Sequence, residues 1–318
     1  MANQFYQGAE AFLSSGADGT VTAPIARLQS VNFGYQIPRA NIPILGRAKP
    51  LNQRPVINYT PTTVSFECVK GDKDMERNFG ILNSTGVAVA LAQTSDTIAN
   101  YGMRNVEVKL APITSQNYAG QINLYSGVLN SFSLGGSIGD PVKMGFSMEF
   151  LDMQQTGNTN ARTVPSYNAN VIKSENMTLT GMNFSGVGYS GIILQSFKLD
   201  VAFERTATIR LGEKYPDRRV TQANATLSVQ GFLEAPSNGV QSLTQFDCGN
   251  YLTGTYSLSL SPSCSSEAAT VISMTNPYLE SNNLGVQVGN YISVDMTFST
   301  PLGFTANECA DGSNLTIT

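Results

Sequence analysis

Histidine is missing from all 318 residues. That absence removes Ser-His-Asp and Cys-His nucleophilic catalysis, zincin motifs, imidazole general bases and His-ligated metals. The four cysteines, Cys68, Cys248, Cys264 and Cys309, form no Cys-x-x-Cys pair, so neither a zinc ribbon nor thioredoxin-type redox chemistry is supported. Cys248 and Cys264 could bridge neighbouring strands, but buried free thiols are the preferred reading. The stretch "GVGYSG" (186–191) is formally Gly-x-Gly-x-x-Gly. A dinucleotide site needs a strand before that loop and a helix after it. The residues after this loop are "IILQSFKLDVAFE", which alternate like a strand from Phe197. "GADG" (16–19) and "ADGSN" (310–314) lack the spaced carboxylates of a calcium loop and read as turns. No pair of carboxylates stands out for glycoside hydrolysis. With no activated nucleophile, no metal set and no cofactor loop, the chain is expected not to be an enzyme and to need no cofactor.

If side-chain chemistry does not carry the function, shape must. Charged residues make up 13% of the chain, glycines number 29, and the hydrophobics are scattered. That profile suits an all-β protein with many turns, and the length allows two domains, each with a core. Residues 1–159 hold 11 basic and 11 acidic side chains and residues 160–318 hold 8 and 12, so neither half is built to grip a phosphate backbone. The longest apolar run, "GVAVALA" (86–92), is too short to span a bilayer. "MANQFYQGAEAF" has neither the basic start nor the apolar centre of an export signal. The expectation is a soluble protein, folded in a reducing cytoplasm and not inserted in membranes.

The chain repeats itself. "LQSVNFGYQIPRANIPILG" (28–46) lies over "LQSFKLDVAFERTATIRLG" (194–212) without a gap, with identities that include Leu28/Leu194, Ser30/Ser196, Arg39/Arg205 and Gly46/Gly212, 166 residues apart. "INLYSGVLNSFSLGGSIGDPVKMGFSMEF" (122–150) lies over "ISMTNPYLESNNLGVQVGNYISVDMTFST" (272–300), with Ile122/Ile272, Leu129/Leu279, Ser131/Ser281, Leu134/Leu284 and Gly135/Gly285 identical at a spacing of 150. Val142, Met144, Phe146 and Met148 alternate in register with Ile292, Val294, Met296 and Phe298, the period of a strand with one buried face. A spacing this long means two copies of a domain and not a solenoid.

Each copy opens with an alternating strand, crosses a charged connection and returns in "TTVSFECV" or "ATLSVQGFL", which predicts a long β-hairpin with a charged tip. Short helices are predicted next, from the early acids Asp72 and Asp74 in one copy and the candidate N-cap Ser237 in the other. The boundaries expected are 1–153 for the first copy, 154–170 for a polar linker and 171–318 for the second copy. The fold class expected is therefore all-β with short helices, as two tandem β-sandwich or barrel-like domains, each with a projecting hairpin.

This pattern of hairpin, helix and closing strand pair resembles the tail tube (major tail) proteins of tailed bacteriophages, in their two-domain duplicated form. The resemblance rests on "LQSVNFGYQIPRANIPILGR" with "TTVSFEC", and on "VLNSFSLGGSIGDPVKMGFSMEF", once per copy. It implies rings in which six domains join their sheets, so that three duplicated chains make a pseudo-six-fold ring, and rings that stack as a DNA conduit. Its implied partners are the chain itself, a tape measure protein inside, and terminator and distal tail proteins at the ends. Double-stranded DNA would pass without specific binding. The implied location is the virion tail, assembled in the host bacterial cytoplasm. On this reading Arg39, Arg47, Lys49 and Arg54 in one copy, and Arg205, Glu213, Lys214, Asp217, Arg218 and Arg219 in the other, contact neighbouring subunits or rings. The recurring Arg39 and Arg205 are expected mid-hairpin, paired to an acid of a neighbouring subunit or exposed. The competing reading is a two-domain β-sandwich adhesin or receptor-binding module, against which the absence of Trp counts. A secretion-tube or baseplate hub subunit lies closer.

Overall fold

A computed structural model describes residues 6–14, 21–37, 39, 61–71, 104–112, 117–157, 160–161, 172, 176–180, 183–184, 187–188, 192–208, 211, 217–233, 255–261, 270–285, 291–302 and 314–317. Almost all of them lie in antiparallel strands. The first half contributes β1 (Tyr6–Ser14), β2 (Val21–Pro24), β3 (Leu28–Tyr35), β4 (Thr62–Val69), β5 (Arg104–Pro112), β6 (Gly120–Ser137), β7 (Lys143–Phe150) and β8 (Asp152–Thr156). The second contributes β9 (Met177–Thr180), β10 (Asn183–Phe184), β11 (Val187–Gly188), β12 (Ile192–Thr208), β13 (Asp217–Leu233), β14 (Thr255–Leu260), β15 (Thr270–Thr275), β16 (Tyr278–Gly285), β17 (Ile292–Pro301) and β18 (Leu315–Ile317).

The two halves use one pairing scheme. The order β3-β4-β7-β6 in the first half is matched by β12-β13-β17-β16 in the second. A second layer runs β1-β5-β6-β8 in one half and β9-β14-β15-β18 in the other. Register recurs too. Ile122 faces Val108, and Ile272 faces Leu258, each 150 residues on. Even the irregularities recur: the bulge between Leu28 and Ser30 returns between Leu194 and Ser196, and that between Leu129 and Ser131 returns between Leu279 and Ser281. Bulges bend a strand and leave a step unpaired, so repeating both repeats the curvature of the sheet.

One strand path serves both layers. The first part of β6 pairs with β5 and β8, and its later part with β7 and β12. The corner falls at Ser126, whose φ is 53°, and the equivalent corner between β15 and β16 falls at Asn276, with φ 47°. Left-handed φ is costly for residues with a Cβ, less so for Asn. At Ser126 the turned backbone N–H is secured by the Oδ1 of Asn105 at 2.9 Å.

Period-two alternation puts the apolar residues between the layers. Val64, Phe66, Met144, Phe146 and Met148 with Val106, Val108 and Leu124 in the first half, and Leu227, Val229, Met296 and Phe298 with Tyr256, Leu258 and Met274 in the second, are all buried in one hydrophobic cluster. Tyr256 of β14 stacks on Phe298 of β17 with centroids 5.3 Å apart, tying the two layers of the second half. The Cys68 side chain is fully buried in the same cluster.

Two sequence readings need adjustment. The stretch assigned to a linker from 154 begins inside β8, where Gln154 and Gln155 pair with Asn123 and Ile122. Its residues are largely exposed, which is why a polar edge strand resembled a linker. Asp217, Arg218 and Arg219, assigned to a hairpin tip, lie instead in the ladder of β13, opposite Thr208, Ala207 and Thr206. The predicted helices after Asp72 and Ser237 lie outside the described residues. So do Cys248, Cys264 and Cys309. The glycine motif at 186–191 contributes Val187–Gly188 to a small hairpin and leads into β12, a strand and not a helix.

Candidate self-assembly interface

The halves meet edge to edge. Strand β12 pairs antiparallel with the later part of β6, from Ser196 opposite Ser137 to Ala202 opposite Ser131. The result is one continuous run of strands, β3-β4-β7-β6-β12-β13-β17-β16. On its core side the junction buries Phe197, Leu199 and Val201 of β12 against Phe132 and Leu134 of β6. Gly135 lets the strands close up, since a Cβ there would stand 3.3 Å from the carbonyl oxygen of Phe197.

Arg205 completes the junction. It is half-buried, and both its Nε and one Nη donate to the carbonyl oxygen of Leu129, at 3.2 and 3.0 Å. That carbonyl belongs to the residue at which β6 bulges against β7. A fork of two charged donors on one acceptor suits a carbonyl displaced from a regular ladder. This contact across the junction is to backbone of the other half, whereas the sequence reading left Arg205 either paired to an acid of a neighbouring subunit or exposed.

The remaining predicted contact residues are scattered. Arg39 is exposed just beyond β3. Arg47, Lys49, Arg54, Glu213 and Lys214 lie outside the described residues. The β12–β13 ladder continues to Thr208 and Asp217. Beyond Phe203 and Ala223 no third strand joins it among the described residues, as expected for a projecting hairpin. Leu211 lies fully exposed near its end.

At the two outer ends of the run, β3 pairs only with β4 and β16 only with β17 among the described residues. These edges carry five of the nine exposed large apolar side chains among the described residues: Phe33 is 37% exposed, Tyr35 60%, Ile37 45%, Tyr278 40% and Leu284 41%. Their counterparts at the spacings of 166 and 150 are Leu199, Val201, Phe203, Val128 and Leu134. All five counterparts are buried, four of them at or beside the inner junction on β12 and β6. An open edge with apolar side chains invites another strand. No protein-family model matches this chain, and no curated protein matches it.

The face of the run turned away from the core is small and polar. Ser30, Ser65, Ser131, Ser133, Ser147 and Ser196 line a concavity of about 660 Å³ over the first half and the junction. Of the charges along it, Lys143 pairs with Glu67 at 3.2 Å and Lys198 with Asp200 at 2.7 Å, and Asp140 accepts from the Ser137 hydroxyl at 3.1 Å. Further on, Gln230 links Ser196 to Asp295 at 3.0 and 3.3 Å. The alternation in the sequence marks these strands but not which of them are edges. Phe33 and Leu199 show the same alternation, so nothing in the letters separates an inner from an outer junction.

Proposed function

We propose that the protein is a structural virion component, the subunit of a phage tail tube. Its chains join edge to edge into rings of three, with six similar places filled by two halves per chain, and the rings stack into a conduit for DNA ejection. The observation that carries this reading is the junction between the halves. A fold that pairs the edge of one half with the leading strand of its own repeat is already built for head-to-tail addition, and closing a ring removes the open edges. The serine-rich face supports it further: short, uncharged or internally paired side chains would offer DNA no array of cations to hold it. The role is non-catalytic and needs no cofactor. The partners are those the resemblance implies: further copies of the chain, a tape measure protein within, and terminator and distal tail proteins at the ends. Assembly takes place in the host bacterial cytoplasm, and the product resides in the virion tail.

Electron microscopy of concentrated protein tests the proposal. Hollow rings or stacked tubes of six-fold appearance are expected. A compact closed dimer, or a fibre with no lumen, would overturn it in favour of a binding module.

A further inference from the structure

We infer that β3 of one copy pairs antiparallel with β16 of a second copy, in the register of the inner junction, and that Arg39 locks this contact by donating to the backbone carbonyl of Leu279 across it. The occupant, a second copy, rests on the ring-forming reading. The residues and register rest on the inner junction alone.

The register comes from carrying the pairs of β12 with β6 through the two repeat spacings. Leu199 faces Leu134, so Phe33 faces Leu284; Val201 faces Phe132, so Tyr35 faces Asn282. In the second couple the large ring changes strands, from β6 inside to β3 outside, while the summed bulk stays similar. A neighbour in this register covers Phe33, Tyr35, Ile37 and Leu284, which a single chain leaves exposed. Gly285 repeats Gly135, preserving the close approach that a Cβ would obstruct.

The arginine lock comes from the same mapping. Arg205 donates twice to Leu129. Arg39 and Leu279 are their counterparts, with unchanged residue types, and Leu279 sits at the same bulge in β16 as Leu129 does in β6. The bulge that presents the acceptor is therefore built into β16, an outer edge of the run among the described residues. Glu280 replaces Asn130 beside it, adding a carboxylate to the approach of the guanidinium.

Disulfide trapping tests the register. In Gly34→Cys/Asn283→Cys the two thiols face each other, as Asp200 and Ser133 do inside. The control Ser30→Cys/Asn283→Cys is displaced by four residues. Mild oxidation of concentrated protein is expected to give interchain dimers and higher multimers from the first variant and not from the second, against the unsubstituted chain with its own four cysteines. Separately, Arg39→Ala is expected to raise the concentration needed for assembly by about 10-fold or more, with monomer melting unchanged and partial recovery in Arg39→Lys. If the unsubstituted chain assembles but the first pair gives no interchain bond, or the displaced pair does so equally, the register is overturned and the ring-forming reading stands. If Arg39→Ala assembles like the parent, the lock is overturned. If the unsubstituted chain stays monomeric at every concentration, both fail.

Discussion

A chain carrying Phe33→Lys is expected to remain a folded monomer and to lose assembly by about 100-fold or more. Phe33 is already 37% exposed, so in a single chain the new ammonium reaches water along its own stem. Once another strand covers β3, that charge would lie beside Leu284, without a partner to offset its dehydration. Lysine on an edge strand is also how natural sheets block unwanted pairing. Sedimentation or size-exclusion with light scattering reads the loss, and thermal melting reads the fold. Assembly at the parent's concentration would mean that β3 is not a docking edge.

The counterpart substitution in the second half should act on stability. Leu199 is fully buried in β12, opposite Leu134 and Leu227. Leu199→Ala removes its packing and leaves a cavity, at a cost of about 2–5 kcal/mol. The same truncation at the edge, Phe33→Ala, should leave monomer melting nearly unchanged. Denaturant unfolding of the two variants measures the contrast. Equal destabilisation would mean that the inner and outer positions are not environments of different kinds.

Much of the fold was legible because its repeats are local. Alternation in Val142–Met148 and Ile292–Phe298 marked β7 and β17, and Gly139 does occupy a left-handed turn position, with φ 88°. The identities Leu28/Leu194 with Ser30/Ser196, and Leu129/Leu279 with Ser131/Ser281, flank bulges that both halves share. A bulge has no letter of its own, so the identities were visible and their cause was not. The division of β6 between two layers was hidden for a related reason: its corner is Ser126, and serine carries little left-handed signal where glycine would. Strand β8 looked like a linker because an exposed polar edge has no apolar period to read. The contact of Arg205 with Leu129 was out of reach for the sequence, since Leu129 offers it only a carbonyl, which every residue has.

Exposure at the edges had to come from coordinates. Sequence alone makes Phe33, Tyr35 and Ile37 core residues, by analogy with Leu199, Val201 and Phe203. The structure divides them: Leu199 and Val201 pair with β6 within the chain and Phe203 is buried just beyond that ladder, while the first set has no strand of its own chain over it among the described residues.

Native mass spectrometry of rings whose outline has been established by electron microscopy tests the central claim most directly. If each half fills one of six similar places, the mass is three times the 34.0 kDa of one chain while the image looks six-fold. Six chains per ring would contradict it, because each chain would then hold one place and the junction inside it would not be the template for the junction between copies.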